Sequence, residues 1–165
     1  VTLAVGISAV VRLTRVVAVP VAAGDSAGVS AADGVPVGSV VLTMDAHLHD
    51  KILGAVSHLP HVAAFALMNA LAEIRDRQIP SLDLVSHSGG GLRDTTRIAA
   101  SSPEMWRDIF LWNRDNVVSF IEAYERSLSQ LKQLIQVSDA AGIEKKLDQA
   151  KQEREKLSTR PTMPA

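Results

Sequence analysis

The chain has 165 residues, a formal net charge of −1, 47% hydrophobic residues, 4% aromatic residues and no cysteine. That length suffices for a domain with a proper core, while the near-neutral charge and a pI near 6.6 exclude a charge-driven grip on nucleic acid or a membrane surface. The absence of thiols excludes disulfides, thiol catalysis and cysteine-bound zinc, and fits a cytoplasmic protein.

The first forty residues form a compositional zone rich in Val, Ala, Gly and Ser with almost no charge. Residues 1–23 are apolar, but Arg12 and Arg15 interrupt the run, leaving pieces too short to span a bilayer. A signal peptide would carry its charges before the apolar core, so the segment reads as buried-strand material or a disordered leader. Val16–Val19 and Val37–Leu42 are β-branched runs that predict strands, with Gly24 to Gly38 as a loop-like stretch between them. No Gly-x-Gly-x-x-Gly turn follows a strand here, and no acidic residue is placed to grip a ribose.

From Asp45, a plausible N-cap, a helical pattern runs to about Asp76, with Ile52, Val56, Leu59, Ala63, Ala66, Leu67 and Ala70 at spacings of three and four. Pro60 interrupts it, predicting a kink between His58 and His61. Gln78-Ile79-Pro80-Ser81 reads as a break and Leu82–Ser88 as a short helix or turn. Gly89–Gly91 opens a helix through about Ala100. Ser102 is the predicted cap of the next, with Pro103 at its first position and Glu104 near the positive end of its dipole. That helix runs to about Leu111, and another from about Arg114 to Val137 carries a narrow stripe of Val117, Ile121, Tyr124, Leu128, Leu131 and Ile135. Ser138 or Asp139 caps a final polar helix from about Ile143 to Leu157, with Lys151 and Glu155 one turn apart, and the tail after Ser158 is expected to be disordered.

Three groups of residues could carry chemistry. His58 and His61 share nearly one helix face; they either hydrogen-bond an anionic ligand or are satisfied core or surface histidines. A metal reading finds no support, because Gly54 and Phe65 one turn away offer no ligands. Arg93, Asp94 and Arg97 follow three glycines on a helix whose start favours anions, and a guanidinium holds a carboxylate through two parallel bonds. The alternative there is an Asp94–Arg97 surface pair of little energetic weight. Trp106 and Trp112 lie six apart, facing different directions, and both read as core; His47, His49 and His87 read as capping or solvated histidines.

The run His49-Asp50, Ser57-His58-Leu59-Pro60-His61, Ala64 and Leu67 resembles prephenate dehydrogenase, the NAD(P)-dependent enzyme of tyrosine biosynthesis. A second block strengthens the resemblance: Gly89-Gly90-Gly91-Leu92-Arg93-Asp94-Thr95-Thr96-Arg97-Ile98-Ala99, then Ser102-Pro103-Glu104-Met105-Trp106, then Asn113. It covers roughly residues 44 to 135 and implies an all-α fold, the helical substrate and dimerisation domain of that family. It also implies that His58, His61, Gly91, Arg97 and Trp106 bind prephenate or arogenate, with NAD or NADP as hydride acceptor. Pro20 through Ala32 resembles the family turn whose catalytic histidine precedes the proline, but Val19 stands in that place, so the expected catalytic histidine is not found. The resulting division is an irregular remnant or truncated nucleotide-binding domain over 1–43, a helical domain over 44–157 and a tail over 158–165. On this reading the chain is a cytoplasmic homodimer, inactive alone, that binds neither nucleic acid, membrane nor metal. The competing reading is a non-catalytic helical interaction module whose apolar stripe is its function.

Overall fold

The computed structural model describes residues 14–20, 39–81 and 83–157. The β-branched runs do form strands. β1 (Thr14–Pro20) and β2 (Ser39–Asp45) pair antiparallel, with Thr14 opposite Asp45 and Pro20 opposite Ser39. The whole of the expected loop from Gly24 to Gly38, the turn after Pro20, and the tail from Ser158 lie outside the described residues.

The described elements after β2 are all helical, as the periodicity predicts. Asp45 ends the strand and caps α1 (Ala46–Leu53), its carboxylate accepting from the amides of His47 and Leu48 at 2.9 and 3.3 Å. The helix does not stop at the proline. A π-helical turn, Gly54–His58, leads directly into α2 (Leu59–Arg77), with Pro60 in the first turn of the latter. Pro60 has no amide hydrogen and crowds the carbonyl four residues back. The wider turn is the local answer: Leu59 N–H bonds the Gly54 carbonyl five residues back, so the chain arrives at the proline on a relaxed ladder. The expected kink is thus a π turn inside one continuous helix from Ala46 to Arg77.

That helix of 32 residues is long and apolar enough, by length and composition only, to cross a membrane. The same composition suits a helix that packs within a protein, and here α1 lies against both strands while α2 lies against the following helical segments. After the short α3 (Leu84–His87), those are α4 (Gly90–Thr96) and a 3₁₀ turn, Arg97–Ala100. The periodicity predicts one helix from the glycines to Ala100; the structure tightens its last turn. Thr96 Oγ1 donates to the Leu92 carbonyl at 2.7 Å, using a main-chain acceptor with a side chain, and the ladder continues as 3₁₀.

Ser102 caps α5 (Pro103–Trp112), accepting from Met105 N, and α6 (Arg114–Gln136) follows after Asn113. Asp139, not Ser138, caps α7 (Ala140–Lys156), accepting from Gly142 N at 3.0 Å, while Ser138 takes the left-handed conformation of the turn (φ 53°). The chain divides into two compact units, Val1–Val117 and Val118–Ala165. In the first, the buried apolar residues are Ala46, Ala64, Trp106 and Val117, joined by the buried polar residues His58 and Asn113. In the second, Gly142 brings α7 close to α6: a side chain there would meet Leu134 Cδ2 at 2.7 Å.

Trp112 overturns an expectation. It is 89% exposed rather than core. Six residues at about 100° each carry it to the far side of α5 from Trp106, and Trp106 is the one turned inward.

Candidate functional site

The π turn decides what the two histidines do. His58, its last residue, is buried; its Nδ1 lies 3.1 Å from Nδ2 of Asn113, the residue between α5 and α6. The same Asn113 nitrogen donates to the Asp50 carbonyl at 2.6 Å, and Asn116 Nδ2 donates to Asn113 Oδ1 at 2.8 Å. Asn113 therefore ties the start of α6 to α1 across a buried junction. His61, three residues on, donates from Nδ1 to the Ser57 carbonyl of its own helix at 2.9 Å.

Trp106 closes the cluster. Its ring stacks on His61 with centroids 3.6 Å apart and planes at 23°, and meets His58 edge-on at 6.0 Å and 79°. Phe110 flanks it one turn along α5, at 5.4 Å. Trp106 Nε1 is the one buried side-chain nitrogen or oxygen among the described residues without a hydrogen-bond partner. Such a donor is costly unless something accepts from it. Burial pushes the His58 pKa below its ordinary value, Asp50 opposes this, and the neighbouring His61 and His49 reinforce it.

The other candidates fall on neighbouring elements. Gly91 is in the exposed first turn of α4, and a side chain built there meets nothing within 4 Å, so packing does not require glycine. Arg97 begins the 3₁₀ turn that lies against α2, and is exposed. Among the described residues it makes no ion pair, and the alternative Asp94–Arg97 surface pair does not form. Arg93 is engaged instead, donating to Ser88 Oγ at 3.2 Å. His49 pairs with Asp50 at 2.9 Å, His87 bonds the Asp83 carbonyl at 2.8 Å, and no group of three or more metal-ligating side chains converges among the described residues. The structure therefore joins His58, His61 and Trp106, and sets Gly91 and Arg97 on adjoining elements.

Asn113 is the residue that sequence reading underrated. It belonged to the motif but carried no role, because a lone asparagine between two helices reads as a connector. Its position one residue beyond a helix that buries a tryptophan was the available signal.

The family model of the prephenate dehydrogenase dimerisation domain matches residues 45–149. The chain belongs to the prephenate dehydrogenase family. Prephenate dehydrogenase of Bacillus subtilis is 33% identical over 113 residues, which is 68% of this chain and 29% of that protein. The structure of prephenate dehydrogenase from Aquifex aeolicus in complex with hydroxyphenyl propionate and NAD+ is similar at a TM-score of 0.62 and 45% identity, over 69% of this chain and 39% of the other. Arogenate dehydrogenase of Synechocystis is similar at a TM-score of 0.63 and 27% identity, over 69% and 41%. The chain thus spans about a third of the length of the relatives it matches.

The family resemblance implies a nicotinamide cofactor, and the strand-to-helix junction among the described residues does not fit its phosphates. A dinucleotide phosphate needs free amides where a strand runs into a helix. At the β2–α1 junction the amides of His47 and Leu48 are held by the Asp45 carboxylate, which would repel a phosphate.

Proposed function

We propose that this chain contributes the substrate side of a prephenate or arogenate dehydrogenase, the oxidative decarboxylation that gives 4-hydroxyphenylpyruvate or tyrosine. The observation that carries the reading is the buried His58–Asn113 junction roofed by Trp106, in a chain of this family. A buried imidazole held by a second element is expensive to keep as mere packing. His58, His61, Trp106 and Arg97 are assigned to the substrate, with Gly91 at the start of the helix that leads to Arg97. Arg97 is a cation with no partner to surrender among the described residues, as a carboxylate-binding residue should be. These residues orient and neutralise charge; the bond-breaking residue is not among them. NAD or NADP would be the hydride acceptor.

The helical domain is taken as 44–157, and it forms a homodimer in the cytoplasm. Support for the dimer lies in α6 and α7, where Leu128, Ile135 and Leu147 are 49%, 57% and 56% exposed. Apolar residues left open in one chain are what a dimerisation domain covers with a second.

The test is calorimetric titration of the chain with hydroxyphenyl propionate, prephenate and arogenate in turn. Saturable binding of a ligand that carries both a carboxylate and the ring hydroxyl, and none of phenylpropionate, supports the assignment. Equal binding of phenylpropionate, or none of any ligand, contradicts it. Sedimentation at roughly tens of micromolar should show a dimer; a monomer would contradict the second part.

A further inference from the structure

The two histidines are wired in opposite senses, and Asn113 is the cause. Its amide nitrogen donates to the Asp50 carbonyl, which can only accept, so the contact settles which end of the amide is nitrogen. The bond from Asn116 to Asn113 Oδ1 agrees. The second amide hydrogen then faces His58 Nδ1. That nitrogen must offer its lone pair, and a neutral imidazole carries its single proton on the other nitrogen. His61 is the reverse: its Nδ1 faces the Ser57 carbonyl and must carry the proton, leaving Nε2 bare in the neutral ring.

Building on the substrate-site reading above, we propose that Asn113 is a positioning residue that locks His58 in the Nε2–H form. His58 then meets the ligand as a neutral hydrogen-bond donor, while His61 offers an acceptor. The ligand group opposite His58 is an oxygen that accepts, a carboxylate or hydroxyl oxygen. His58 Nε2 has no partner among the described residues and is not sealed from solvent, unlike Trp106 Nε1, so it is available. Protonating Nδ1 would set an N–H against the amide hydrogen of Asn113. Burial works in the same direction; on its own helix Asp50 opposes it and His61 and His49 reinforce it, while α5 and the α5–α6 junction present uncharged Trp106 and Asn113.

Nitrogen-15 spectra of the histidine rings in the full chain, taken above the ordinary histidine range, read the tautomers directly. His58 should be protonated at Nε2 and His61 at Nδ1. Asn113→Asp keeps the shape but replaces a donor with an acceptor; His58 should flip to Nδ1–H and titrate at higher pH than in the parent. Hydroxyphenyl propionate should shift His58 Nε2–H in the parent and bind about tenfold more weakly to the variant. A parent His58 protonated at Nδ1 overturns the proposal even if the variant fails to fold. So does a variant whose His58 stays Nε2–H, or a ligand that shifts His61 and leaves His58 alone. The assigned tautomers with no response to any ligand would support the lock by Asn113 and refute the substrate site instead.

Discussion

The contact between α2 and α5 and the pair α6–α7 use the same sequence device to opposite ends. Both are amphipathic helices with apolar residues three and four apart. In the first, Ala64 and Trp106 are buried, and the apolar face closes over two polar residues, His58 and Asn113. In the second, no described residue from 118 to 157 is buried, and the helices are held by a cap, a close glycine and a Lys146–Gln130 bond of 2.7 Å. One region buries polar groups at a cost; the other leaves apolar groups open at a cost. Burying polar groups is the habit of a site, and leaving apolar ones open is the habit of an interface.

The comparison can be broken first at Trp106. Trp106→Ala removes a buried ring that touches His58, His61 and Phe110, and should cost about 3–5 kcal/mol in denaturant unfolding. A cost below about 1 kcal/mol would mean that the α2–α5 contact is not packed as described. Asn113→Ala comes next: it leaves the Asp50 carbonyl and His58 Nδ1 short of a donor, for about 1–3 kcal/mol.

A smaller effect should appear with pH. His58 has a folded pKa below its ordinary value of 6.5, so the unfolded chain takes the proton first as pH falls. Its contribution is complete above 6.5, declines below that, and levels off once pH passes under the depressed folded value. Denaturation midpoints across this window should show the decline, and His58→Gln should remove it. The smallest change in folding belongs to the other region. Leu128→Ser and Ile135→Ser sit at exposed positions and should alter single-chain stability by no more than about 0.5 kcal/mol. They should nevertheless weaken self-association about tenfold, read by sedimentation over a concentration series.

Much of the helical order was legible before any coordinates. Asp45 and Ser102 announce their helices through cap chemistry that acts within three residues, and Pro103 confirms the second. The turn at Gly54–His58 was not legible, because a proline in a periodic run says only that the ladder is disturbed. Whether it kinks or widens depends on what the neighbouring turn packs against. Trp112 failed for a similar reason: two tryptophans six apart cannot face one way, and only the tertiary contact with His61 decides which turns in. Histidine spacing put His58 and His61 on one face, but not the donor and acceptor senses of their rings. Those come from Asn113 and the Ser57 carbonyl, the first of them fifty-five residues from the ring it holds.

The proposed carboxylate-binding site of the first unit stands or falls with Arg97. Calorimetric titration of hydroxyphenyl propionate into the parent chain, Arg97→Ala and Arg97→Lys tests it most directly. If Arg97 grips the carboxylate, alanine should cost about 2–5 kcal/mol of binding, roughly thirtyfold to several-thousandfold in affinity. Lysine should recover only part, because an ammonium lacks the planar two-bond geometry. Unchanged affinity in Arg97→Ala, with the fold intact, would contradict the site.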